Sequence, residues 1–165
     1  MPALLETVVD PIGQADVLRR RRHGVIEMAG GRLVAIHLRP WPRRGSLLEA
    51  RTLGRLWHRY TTGDRALLYY SQPWGSANYL ALRYCQSTRD CRLATFHGTV
   101  RVLEEIARIK GSDAILADVS SGRISDRLLA RWGWEPLGGG SRGRTFVRRF
   151  YGAYPEPAFA ELLAC

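Results

Sequence analysis

The stretch RLATFHGTVRVLEEIARIK at residues 92–110, with GSDAILADVS at 111–120 and SGRISDRLLARWGW at 121–134, decides the fold class. From about Thr95 to Lys110, Val100, Leu103, Ile106 and Ala107 fall on one side of a helix, and Arg101, Glu104, Glu105 and Arg108 on the other. Gly111 stands where a left-handed C-cap belongs. Ala114 to Val119 is short and nearly continuous in apolar character, as expected of a strand covered on both faces. Ser120 to Arg123 turns the chain into a second helix, Ile124 to Arg131, which ends at Trp132-Gly133-Trp134. A strand from Thr145 to Tyr151 follows. Helices and strands alternating in this way define a layered α/β domain.

Upstream, Val25–Met28 and Leu33–Leu38 are β-rich runs around Ala29-Gly30-Gly31-Arg32, the signature of a hairpin. Pro40-Trp41-Pro42 stops the second strand, because proline has no N–H to give a ladder. Ser46 to Tyr60 is predicted helical: Ser46 and Glu49 form a capping box, and Leu53, Leu56, Trp57 and Tyr60 make one apolar stripe. Ala66–Tyr70 and Asn78–Tyr84 are two more strands, separated by a turn at Gln72-Pro73-Trp74-Gly75-Ser76.

The order helix, strand, helix, Gly-aromatic, strand resembles the second half of a GCN5-related N-acetyltransferase (GNAT) domain. The likeness covers about 60 residues well and the first 90 in outline. It implies a mixed central sheet with helices on both faces, and acetyl-CoA or another acyl-CoA as cofactor. In that family an Arg/Gln-x-x-Gly-x-Gly/Ala loop precedes the first of these helices, so that backbone N–H groups point at the pyrophosphate; a helix N-terminus suits an anion. Counting back from Val119 places the loop at Cys91 to Phe96, with Ala94 and Phe96 at the glycine positions. The cofactor-binding residues implied are Arg92, Ala94, Thr95, Phe96 and His97. Trp132-Gly133-Trp134 is similar to the family's Leu-Gly-Phe element. The tyrosine that often serves as general acid is replaced by Leu129, and the asparagine that often orients the cofactor by Gly122. The resemblance thus leaves side by side an N-acyltransferase acting on an amine, from a small molecule or a protein, and a GNAT-like binding domain without chemistry. No catalytic residue is assigned by it.

Among other polar candidates, Asp118 ends a strand, where a carboxylate most often caps the following turn. His37 and His97 are candidate bases. Tyr69, Tyr70, Tyr79, Tyr84 and Trp74 line either a groove or the ordinary faces of a sheet. The sequence has no phosphate loop of the Gly-x-x-x-x-Gly-Lys type, no Gly-x-Ser-x-Gly elbow and no His-Glu-x-x-His pair.

At 165 residues and 45% hydrophobic content, the chain is sized for one core. The sequence divides into an N-terminal segment with some flexibility at 1–24, the GNAT-like domain at 25–152 and a C-terminal tail at 153–165. A net charge of +10 raises a third reading, an arginine-rich nucleic-acid binder working through Arg19 to Arg22. Against it, Glu104, Glu105, Asp113, Asp118 and Asp126 spread negative charge through the second half. Cys85, Cys91 and Cys165 match neither a disulfide framework nor a zinc spacing, so no metal is expected. No apolar run reaches the length of a membrane span and no secretory leader is recognised, which sets the expectation of a cytoplasmic protein.

Overall fold

A computed structural model describes residues 6–40, 62–119, 122–138, 144–157 and 159–163. In chain order the elements are β1 (Glu6–Val8), α1 (Ala15–Arg20), β2 (His23–Ala29), β3 (Arg32–Arg39), β4 (Arg65–Ser71), β5 (Tyr79–Ser87), α2 (Leu93–Lys110), β6 (Ala114–Val119), α3 (Asp126–Arg131), β7 (Glu135–Leu137), β8 (Arg144–Arg149) and α4 (Phe159–Leu163). The mixed central sheet expected from the sequence is present. Its eight strands run in the order β1-β3-β2-β4-β5-β6-β8-β7, and every neighbouring pair is antiparallel except β5 and β6. The β2–β3 hairpin turns at Gly30 and Gly31, whose φ angles of 59° and 79° suit glycine.

Alternation along the strands sorts side chains between the two faces. Ile26, Met28, Ile36, Leu38, Leu68 and Leu80 are buried with Val102, Leu103, Ile106 and Ala107 of α2 in one apolar cluster. Burial of this kind, at roughly 25 cal/mol per Å² of apolar surface, is the main force holding helix to sheet. Gly98 lets the helix approach: a Cβ there would come within 2.5 Å of Met28 Cε. α1 and α4 cover the same face, α1 through the fully buried Leu18 and a bond from Arg19 Nε to the Ile109 carbonyl (3.1 Å), α4 through Phe159 and Leu162.

β1 and α1 precede residue 25, where the sequence sets the start of the domain. β1 pairs with β3, and Val8 and Leu18 belong to the core. The helix expected at Ser46–Tyr60 lies outside the described residues. The opposite face of the sheet carries Val25, Glu27, His37, Arg39, Arg65, Leu67 and Tyr69 around an open depression of about 270 Å³. Two expectations are corrected. Glu104 and Glu105, expected on the outer side of α2, are buried. β6 is covered on a single face, with Ile115 and Ala117 buried but Leu116 and Asp118 exposed, because no described helix crosses its second face.

Candidate functional site

The sheet opens at β5. Its parallel pairing with β6 runs from Tyr79 opposite Ala114 to Leu82 opposite Ala117 and stops, while its pairing with β4 continues to Ser87 opposite Ala66. The break coincides with an extra residue: Tyr69 faces Tyr84 but Tyr70 faces Leu82, so Arg83 is inserted. A bulge bends and twists its strand. The edge of β5 from Arg83 to Ser87 is thereby left without a strand partner among the described residues.

α2 links β5 to β6, so its N-terminus stands just beyond the carboxyl end of β5, the place in an open α/β sheet where ligands bind. The helix starts at Leu93, two residues earlier than the sequence indicated, with Arg92 as N-cap. Ala94, Thr95 and Phe96 therefore lie inside the first turn, where the sequence had placed a loop. The N–H groups of Leu93, Ala94 and Thr95 have no hydrogen-bond acceptor among the described residues, as first-turn groups do when no side chain reaches them.

Sequence reasoning missed Asp64. Its carboxylate accepts from the Arg92 N–H (2.7 Å) and the buried Thr95 hydroxyl (2.7 Å), with Arg92 Nε 4.0 Å away. Thr88 holds the preceding loop in place, accepting from the Arg65 N–H (3.0 Å) and bonding the Gly63 carbonyl (2.5 Å). Asp64 is distant in sequence from the helix start it bonds; its place after Gly63, whose φ is 100°, is the one local hint of a tight turn. Burial, then the Asp64 carboxylate, pushes the nearby Cys91 thiol up to about 11, and burial pushes Cys85 up to about 12. Neither thiol is a nucleophile at neutral pH.

The five residues named from the sequence separate into two groups. Arg92 and Ala94 are exposed at the helix start. Thr95 is engaged with Asp64, and Phe96 and His97 turn toward Trp132, whose ring stacks on His97 at 4.2 Å between centroids and on Phe96 at 6.2 Å. Phe96 thus joins α2 to the end of α3 instead of standing before the helix start. Burial, then the charge of Arg101, lowers the pKa of His97 and keeps the ring neutral at pH 7.

The other candidates lie elsewhere. Asp118 accepts from Thr145 on the neighbouring strand (2.8 Å). His37 is on the open face, with Nε2 2.9 Å from Glu27 and Nδ1 3.3 Å from the Thr7 hydroxyl; Glu27 also accepts from Arg65 (2.8 Å). Tyr69 and Tyr84 form a tilted pair at 5.9 Å beside the bulge, whereas Tyr70 is buried against Gly24 on the α2 face. Trp74 is exposed with the Arg22 guanidinium 4.1 Å over its ring. Among the described residues, no group of three or more His, Cys, Asp or Glu side chains is placed to hold a metal, and no helix is long and apolar enough to cross a membrane.

No family model and no curated protein matches this chain. Among solved structures, the crystal structure of nourseothricin acetyltransferase is similar at 13% identity and a TM-score of 0.39, over 89% of this chain and 99% of that one. At that level, the reading of the site rests on its own geometry.

Proposed function

We propose that this chain is an acyl-CoA-dependent N-acyltransferase with an amine acceptor. The observation that carries the reading is the parting of β5 from β6 after Leu82 and Ala117, beside the N-terminus of the long helix that joins them. A phosphate-bearing ligand with an extended amide arm has partners at both ends of that opening. The N–H groups of Leu93, Ala94 and Thr95 and the exposed Arg92 side chain face an anion favourably. The edge of β5 from Arg83 onward, without a strand partner among the described residues, presents peptide groups to an extended chain, as a sheet edge does to an added strand.

The residues fit such a cofactor. Ala94 offers only a methyl group at the helix start, and Phe96 is drawn aside onto Trp132. Bound acyl-CoA would supply the activated carbonyl. The chain's part is to hold the phosphates at α2, to align the arm along β5 and to exclude water between α2 and α3. His97 is neutral and close to the helix start, but its ring is stacked on Trp132, so no side chain is assigned to proton transfer.

Asp64 favours a second reading, a binding domain without transfer, since a carboxylate of the chain already sits at the helix N-terminus. Thermal unfolding with and without acetyl-CoA at two salt concentrations separates the two. A rise in Tm that survives salt is expected for the cofactor reading, because a ligand that binds only the native state stabilises it. No rise at millimolar acetyl-CoA overturns that reading in favour of the binding domain. Turnover of an amine panel then follows.

A further inference from the structure

The sheet end away from the start of α2 gathers cations that form no ion pair among the described residues. His23 opens β2, with Arg39 directly opposite on β3 and Ser71 directly opposite on β4. Directly opposed residues share a face with Cβ atoms about 5 Å apart. Arg83, the bulged residue of β5, donates from Nε to Ser71 Oγ (2.8 Å), which brings a third cation to that face. Arg22 precedes His23, and Lys110 from the end of α2 donates to the carbonyls of Arg19 (3.1 Å) and Arg21 (2.7 Å) and to Gln72 Oε1 (3.3 Å). Among the described residues, none of Arg22, His23, Arg39, Arg83 or Lys110 is ion-paired with a carboxylate.

Two polar atoms in this cluster are buried and unpaired. His23 is 8% exposed and its Nε2 has no hydrogen-bond partner; Arg39 Nε is also buried without one. Buried polar atoms are nearly always paired, and an unpaired one is costly. Ser71 Oγ accepts from Arg83, which leaves its own O–H to donate. With the imidazole protonated at Nε2, three donors lie on one face with positive charge around them, and together they match the lone pairs of an oxyanion.

We propose that His23, Arg39, Ser71 and Arg83 form a binding site for the oxyanion group of a small molecule, a phosphate or a carboxylate. The inference does not rest on the acyl-CoA reading, although Arg83 also begins the β5 edge given there to the cofactor's arm; Lys110, which adds charge nearby, lies about 25 Å along α2 from its N-terminus. A bound anion favours the imidazolium, which burial and the charges of Arg83, Arg22 and Lys110 otherwise disfavour. The groups packed around His23 are Arg39 from β3, Ser71 and Gln72 from the end of β4, Arg83 from β5, Arg22 before β2 and Lys110 from α2; His23 and, toward the upper end of the range, Lys110 gain positive charge as pH falls from 7.5 to 5.5. Affinity therefore rises as pH falls through that range.

The test is calorimetric titration of the full chain at constant ionic strength with two probes, sulfate for a tetrahedral oxyanion and propionate for a carboxylate. Saturable binding of either, tighter at pH 5.5 than at 7.5 and weakened about tenfold in Arg83→Gln, is expected, one charge-assisted hydrogen bond being worth about that factor. Arg83 is exposed, so this variant keeps the fold. Sulfate alone saturating identifies a phosphate-type ligand and propionate alone a carboxylate. Saturation by neither probe, or saturation unchanged in both Arg83→Gln and His23→Gln, overturns the proposal.

Discussion

The two ends of α2 handle charge in opposite ways. At its start, the chain brings its own anion: Asp64 meets the Arg92 N–H and the Thr95 hydroxyl. Near its end, Lys110, Arg22 and Arg83 all bear on His23, and among the described residues none of them is ion-paired with a carboxylate. A helix dipole favours an anion at the first end and a cation at the second, so both arrangements follow the dipole. They differ in completeness. The first end has a carboxylate bonded to it, whereas beside the second Arg83, Arg22 and Lys110 all act on His23 with the same sign of charge. A balanced end is weakened by removing a partner, and an unbalanced end is strengthened by adding one.

The most demanding balanced pair sits midway along α2. Glu104 accepts from Arg148 Nε (3.1 Å), both side chains being largely buried, and Arg148 also donates to the Gly133 carbonyl (3.3 Å). Replacing Arg148 with Met leaves a buried carboxylate unpaired, which costs about 3 kcal/mol or more. Burial raises the pKa of Glu104 above its ordinary value, against the lowering by Arg148. With the folded pKa above the unfolded one, the fold is favoured by protonation and loses that advantage as pH rises above 4.5. The deficit of Arg148→Met is therefore largest at neutral pH and shrinks below about pH 4.5, where the carboxyl is neutral in both states. Urea unfolding at pH 7 and pH 4 checks both the size and its direction.

Asp64→Asn comes next. It keeps the shape of the side chain but removes its charge and weakens its bonds to Arg92 and Thr95, and the expected loss is about 1 kcal/mol by chemical denaturation. The same variant sharpens the functional reading. If phosphates occupy the N-terminus of α2, acetyl-CoA binds Asp64→Asn more tightly than the parent, because an adjacent negative charge is gone. Unchanged or weaker affinity by calorimetry places the cofactor elsewhere.

The sheet and its main helix were legible because their periodicities are strong. The hairpin from Val25 to Leu38 alternates around paired glycines, and α2 shows a single apolar stripe ending at Gly111, whose φ is 65°. β1, α1 and β7 were not legible. Each is six residues or fewer, too short to display a period, and each is held by distant contacts such as Glu6 with Arg21 or Glu135 with Arg149. The site was only half legible for the same reason. Arg92 and Ala94 stand at the helix start in sequence as in space, but Asp64 reaches it from 28 residues away. The cluster around His23 draws one residue from each of four strands, and no linear motif records it.

The unbalanced end has its own pH signature. Burial, and then the charge of Arg22, lower the pKa of Lys110 to about 8. Its unfolded value is higher, so between pH 8 and about 10.5 the unfolded chain holds a proton that the native chain has released, and stability rises with pH across that window. Lys110→Gln removes this component of the slope. Sulfate at the neighbouring cluster flattens it in the parent by restoring charge balance, which unfolding free energies measured across the window with and without sulfate reveal.

The smallest effect belongs to the rim of that end. Arg22 lies 4.1 Å over the ring of Trp74, which is 77% exposed. A cation over an exposed indole contributes about 0.5–1 kcal/mol. Trp74→Ala therefore costs no more than that in unfolding free energy. Its value is in what it does to anions: with the indole gone, the Arg22 guanidinium keeps, among the described residues, its bond to the Pro73 carbonyl (3.3 Å) and is freer to turn toward His23. If the cluster is short of an anion, sulfate stabilises Trp74→Ala at least as much as the parent. If the indole were instead part of the ligand's seat, the variant would lose the sulfate response while keeping its fold, and the site would extend from the cations onto the aromatic rim.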